Sequence, residues 1–222
     1  MINDNFDFQY LGESIKRGYL LNAYLRLILG KCIYLFYLIP KTMIPRKAFP
    51  TKGTGIHRDK LASFELALRD AGIEKFNLVK VSSILPPNCS VVTKEESLTD
   101  LSPGEIVYCV LARNQTDEPH RLIASAIGTA IPRNEENYGY ISEHHSFGED
   151  EEVAGMYAED IAATMLATTL GIEFDADSAW QEREQIYKAS GHIFNATHIC
   201  QIAKGDKDGF WTTVVAAMVF VE

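Results

Sequence analysis

The chain has 222 residues, of which 46% are hydrophobic and 23% charged, with a formal net charge of −9. Those values exclude a disordered chain and suit one globular domain of ordinary to large size, or two small ones. The acidic balance argues against a nucleic-acid partner, whose phosphates would repel the protein overall.

Residues 19–39, YLLNAYLRLILGKCIYLFYLI, are strongly apolar, but Arg26 and Lys31 interrupt the run where a spanning helix would bury charge at a cost. A secretory signal does not fit either: the apolar region is long, Pro40-Lys41 follows it, and there is no small-residue cleavage site. An interfacial anchor, with Arg17, Arg26, Lys31 and Lys41 near headgroups, is the one route to membrane contact. The simpler expectation is that residues 1–42 are an apolar extension ahead of a biological start at Met43, and that 43–222 form a single domain. Four scattered cysteines, Cys32, Cys89, Cys109 and Cys200, form no CxxC pair and no small-domain disulfide spacing, so a reducing cytoplasm is expected.

From Pro45 onward the pattern is α/β. TKGTG (51–55) reads as a glycine-rich turn. LASFELALRDAG (61–72) places Leu61, Phe64, Leu68 and Ala71 at helical spacing before a capping Gly72. FNLVKV alternates Leu78 and Lys80 against Val79 and Val81, which predicts a strand. EIVYCVLAR (105–113) and RLIASAIGTAI (121–131) predict two more strands around the polar turn NQTDEP, and GYIS (139–142) a fourth that ends at Glu143. A long helix fits 151–170, with Val153, Tyr157, Ile161 and Met165 on one stripe and Gly171 beyond its end. HIFNATHICQIA and FWTTVVAAMVFV flank GDKDG, a hairpin signal.

Several motifs carry less than they promise. Glu143-His144-His145, with Glu149, Asp150 and Glu151 nearby, offers metal-ligand chemistry, yet adjacent strand histidines point to opposite sides and share one ion poorly, so no metal is expected. DKDG (206–209) lacks the rest of a calcium loop. Gly53-x-Gly55 is too short for a dinucleotide fingerprint. In VSSILPP, Ser82 and Ser83 end an apolar alternation just before Pro86-Pro87. By itself the pair reads as a polar turn. A serine hydroxyl held against the preceding carbonyl can nevertheless attack it and turn the peptide into an ester, given a constrained, strained backbone.

FELALRDAGIEKFNLVKVSSILPPNC, with IASAIGTAIP, YGYISEHH and GFWTTVVAAMVF, resembles the pyruvoyl-dependent arginine decarboxylase family over roughly residues 43–222. The resemblance implies an αββα sandwich, assembled as trimers or hexamers with the active site between protomers. It implies cleavage between Ser82 and Ser83: Ser83 Oγ attacks the Ser82 carbonyl, the ester undergoes β-elimination, and hydrolysis of the dehydroalanine leaves a covalent pyruvoyl group derived from Ser83. The substrate amine then condenses with the pyruvoyl ketone, and arginine becomes agmatine and CO2 in a step serving polyamine synthesis or acid resistance. By the same resemblance Glu143 is the proton donor to the former α-carbon, a role that asks for a carboxyl desolvated beside apolar walls. Glu65 aligns with the acid that pairs the guanidinium, where familiar members carry Asp, and Asn77 and Ser82 align near substrate and pyruvoyl. Asn77 alone reads equally as a strand-start turn residue. Two alternatives stand beside arginine: a pyruvoyl decarboxylase of another amino acid such as histidine, and an uncleaved, non-catalytic oligomer of the same fold.

Overall fold

A computed structural model describes residues 43–171, 186–189 and 192–222. The extension 1–42, to which the membrane-anchor and late-start expectations apply, lies outside the described residues. No helix among those described is long and apolar enough to cross a membrane.

The elements in chain order are β1 (Lys47–His57), α1 (Lys60–Ala71), β2 (Asn77–Lys80), β3 (Ile84–Leu85), β4 (Ser90–Val91), α2 (Lys94–Leu98), β5 (Ile106–Thr116), β6 (Leu122–Pro132), β7 (Gly139–Phe147), α3 (Glu151–Thr169), β8 (Ile186–Ala189), β9 (His192–Lys204) and β10 (Trp211–Val221). They build two five-stranded sheets, ordered β2-β5-β10-β1-β4 and β3-β7-β6-β9-β8. One core lies between the sheets, where Val110, Ile127, Ile141, Met218 and Phe220 meet. A second lies under α1, around Phe49, Ile73, Val215 and Val219, and small cores join α3 to the other sheet. The four layers are those of the expected αββα sandwich. β10 supplies the inter-sheet core with Ala216, Met218 and Phe220 and the α1 core with Val215, Ala217 and Val219. Burial on both faces is why Val214–Val221 is an unbroken apolar run.

Helix α1 begins at an Asp59 cap whose carboxylate accepts from Leu61 and Ala62 N–H, and ends at Gly72 with φ 78°. Its buried side is Ser63, Ala67 and Ala71, whereas Leu61 is 74% exposed. The expected turn TKGTG is instead the middle of β1. Its glycines serve close approach: a Cβ at Gly55 would lie 2.2 Å from the Ser63 carbonyl oxygen, and one at Gly53 would lie 2.3 Å from that of Ala67.

Two further expectations change in the same way. The stripe Val153, Tyr157, Ile161 on α3 faces outward, with Val153 and Tyr157 each 52% exposed, because Ala154, Ala158, Ala162 and Leu166 make the packed side. Alanines let the helix lie directly over Gly128, where a Cβ would meet the Ala158 carbonyl. GDKDG also joins no hairpin. β9 pairs with β6 and β8 in one sheet, and β10 with β1 and β5 in the other, so the segment turns the chain between sheets.

Candidate active site

Strand β2 runs parallel to β5 only from Asn77 opposite Ile106 to Lys80 opposite Cys109, and the pairing closes with Val81 N–H donating to the Cys109 carbonyl at 3.0 Å. By Ile84, opposite Tyr140, the chain is in the other sheet. The Ser82–Ser83 peptide is therefore the crossing from sheet to sheet. It is held on both sides: the Ser82 carbonyl accepts from Ile84 N–H at 3.1 Å, and the Ser83 carbonyl from Ile141 N–H at 2.7 Å. These two bonds hold the peptide in place between the sheets. Left-handed backbone plays no part in it, since among described non-glycine residues positive φ occurs only at Asn88 and His120. Pro86-Pro87 then enter a turn that Cys89 N–H closes onto the Pro86 carbonyl at 3.2 Å.

Strand β7, which receives Ser83, also carries Glu143. The strand continues to Phe147, so Glu143 lies in its middle, opposite Ile127, and not at its end. Alternation puts Ile141, Glu143 and His145 on one face. Ile141 is buried between the sheets; beyond it Glu143 opens into a cleft of about 660 Å³. Its walls are Phe64 and Leu68 from α1, Leu111 and Arg113 from the part of β5 that β2 leaves uncovered, and Glu143 and His145 from β7. The volume suits a ligand of amino-acid size. Lys80 Nζ donates to Glu143 Oε2 at 3.0 Å, and the Glu143 side chain is 32% exposed. In the single chain the carboxylate thus faces an ammonium and solvent, not the apolar wall expected of a desolvated acid, because β2 stops at Lys80 and leaves the cleft open.

Asn77 lines the cleft as well. Its side-chain amide donates to the Gly104 carbonyl at 2.7 Å and its backbone N–H to that of Glu105 at 2.8 Å, so it both starts β2 and walls the cleft. Glu65 does not join this group. It follows Phe64 on α1, and its carboxylate is bound by Arg69 one turn along the helix. His144 and His145 part as strand alternation predicts: His145 lines the cleft, while His144 Nε2 lies 2.8 Å from Glu149 Oε2 and its ring packs on Tyr157. The hydrogen bond with His144 holds the Glu149 carboxyl below its ordinary range.

Sequence reasoning missed Lys80, Arg113 and His145 as site residues. Lys80 shares Leu78's side of the β2 alternation, but its partner appears only when β2 and β7, in different sheets, are brought together. Arg113 stacks its guanidinium 4.4 Å from the Phe64 ring centre, a contact between α1 and β5 with no local sequence signal. Thiol chemistry does not compete at this corner. Burial pushes the Cys89 and Cys109 thiols up to about 11, which leaves little thiolate near neutral pH.

A family model, pyruvoyl-dependent arginine decarboxylase, matches residues 47–222. The chain belongs to this family. Among its relatives, pyruvoyl-dependent arginine decarboxylase 2 of Methanosarcina mazei is 79% identical over 179 residues, which are 81% of this chain and 98% of the relative. Pyruvoyl-dependent arginine decarboxylase of Methanococcoides burtonii is 74% identical over 81% of this chain and 99% of its own. A probable pyruvoyl-dependent arginine decarboxylase of Chloroherpeton thalassium is 60% identical over the same shares. Membership in the family brings a covalent pyruvoyl cofactor. The corner fits such a group: a serine follows a peptide whose carbonyl is hydrogen-bonded, its own carbonyl is tied to β7, and a carboxylate lies two residues along that strand.

Proposed function

We propose that this chain cleaves itself between Ser82 and Ser83 and, once processed, converts L-arginine to agmatine and CO2. The observation that carries the reading is the crossing itself: the one Ser-Ser peptide of the chain spans the two sheets with both flanking carbonyls engaged, beside the strand that carries Glu143. A pyruvoyl group formed from Ser83 supplies a ketone for the substrate amine and an electron sink for the pair released with CO2.

The protein's own residues do the rest. Ser83 Oγ is the nucleophile of processing. Glu143 gives a proton to the former α-carbon and, being partly exposed, regains one from water between turnovers. Glu143 rests as the acceptor of a 3.0 Å bond from Lys80 Nζ and takes up a proton before it acts. Asn77 and Ser82 flank the reacting end, and Phe64 and Leu68 offer apolar walls to the substrate's methylenes. Glu65 is the guanidinium partner, for which its carboxylate leaves Arg69 and reaches the substrate, either in its own cleft or in that of a neighbouring copy.

Assembly as a trimer or hexamer, in the cytoplasm, is part of the same proposal. Val79, Ile84 and Ile106 lie on the short strands β2 and β3 and at the start of β5, and all are exposed in the single chain, Ile106 by 62%. Apolar side chains gathered there favour cover by another copy.

The test is CO2 release by processed protein from arginine, ornithine, lysine and histidine. Arginine presents a planar cation suited to two hydrogen bonds from a carboxylate, lysine and ornithine a point charge, and histidine a short and largely neutral ring. Arginine is expected well ahead of the other three. Preference for histidine would overturn the substrate assignment and leave the processing chemistry standing.

A further inference from the structure

The carbonyl that Ser83 attacks is not free. Ser82 O accepts the Ile84 N–H at 3.1 Å, closing a three-residue turn with Ser83 at its centre. That N–H is spent on the turn and not on β7, whose bond to this segment runs from Ile141 N–H to Ser83 O at 2.7 Å. We infer that the Ile84 backbone N–H is the oxyanion donor of self-processing, an inference that rests on cleavage occurring between Ser82 and Ser83.

When Ser83 Oγ adds to the Ser82 carbonyl carbon, a five-membered ring forms and the carbonyl electron pair moves onto Ser82 O. The donor is already aimed at that atom, within the 2.7–3.1 Å range in which such donors act. A bond to a neutral amide oxygen becomes charge-assisted, shorter and stronger as the oxygen gains charge, so it favours the transition state over the ground state. Collapse of the adduct breaks the bond between the Ser82 carbonyl carbon and Ser83 N, and the Oγ proton passes to that nitrogen. The step is an isomerisation of peptide to ester and consumes nothing. The second anchor matters too. With Ser83 O held by Ile141, the turn stays closed while the bond on its other side breaks.

The inference locates the effect in one backbone hydrogen, which sets the experiment. Cell-free synthesis with the α-hydroxy analogue of isoleucine at position 84 replaces that N–H by an ester oxygen and keeps the side chain. The time course of cleavage is read on a denaturing gel. Ile84→Pro removes the same hydrogen by ordinary mutagenesis, Ile84→Ala keeps it, and melting of each substitution in a Ser83→Ala chain reports on folding. Loss of one oxyanion donor typically slows a reaction about 10²–10³-fold. The ester and proline chains are expected to be slowed to that extent with melting close to the parent, and Ile84→Ala to cleave like the parent. Parent-like cleavage of the ester chain overturns the inference, as does equal slowing in Ile84→Ala or slowing that accompanies lost melting, which would make the effect one of packing. A parent chain that stays intact, or is cut elsewhere, removes the reading beneath it as well.

Discussion

The serine corner and the helix beside it are prepared to different degrees. At the corner, Ser82 and Ser83 have both carbonyls engaged, and Lys80 and Glu143 already meet across the two sheets. On α1, 17 residues before Ser82 in sequence, Glu65 is committed to Arg69 and stands outside the cleft that Phe64 and Leu68 line. The difference follows the tasks proposed for the two places. Making the cofactor is intramolecular, so a single chain must hold the reacting groups in place before anything binds. Recognising a guanidinium, the task proposed for Glu65, comes when substrate arrives, and on that proposal its carboxylate rests on an exposed partner and exchanges it later.

The sharpest way to break this comparison is Ser83→Ala, which removes the attacking oxygen. It is expected to stay a single chain on a denaturing gel and to release no CO2, while keeping the wild-type fold. Glu143→Gln comes next. It should process, since nothing assigns Glu143 to the acyl shift, and then lose about 10²–10⁴-fold in turnover with a small change in KM, because a general acid acts after binding. Wild-type turnover in the fully processed variant would remove Glu143 from the chemistry.

On the helix side the effects are smaller and fall on binding. Glu65→Gln is expected to process normally and to raise the KM for arginine. A charged hydrogen-bond partner is typically worth about 1.5–3 kcal/mol, or roughly ten- to a hundredfold. Unchanged selectivity would separate Glu65 from the guanidinium. The smallest effect is expected from Arg69→Gln, which frees the Glu65 carboxylate from its resting partner. Exposed pairs of this spacing hold weakly, so KM should fall by no more than about threefold with turnover unchanged. A rise in KM would mean that Arg69 positions Glu65 and does not compete for it.

The sequence displayed local physics well and juxtaposition poorly. The span of α1 and its Gly72 cap followed from periodicity and from one left-handed position, and Ser82-Ser83 stood out through its flanking apolar alternation and double proline. Gly53 and Gly55 misled, because a glycine that lets a helix approach a strand has the same letter as one that makes a turn. The alanines of α3 were passed over for Val153, Tyr157 and Ile161, since hydrophobicity ranks the larger side chains higher, although only small ones fit beneath a helix lying on Gly128. The Lys80–Glu143 pair was illegible for a different reason. Its partners belong to different sheets, and no pattern along one strand encodes the register of another.

Intact mass of the purified wild-type protein under denaturing conditions tests the central claim most directly. The account predicts two chains, one ending at Ser82 and one spanning 83–222, the latter lighter by one ammonia than the same fragment beginning with serine and blocked at its N-terminus. A single unprocessed chain of full mass, or a cleaved chain with a free N-terminal Ser83, would contradict it.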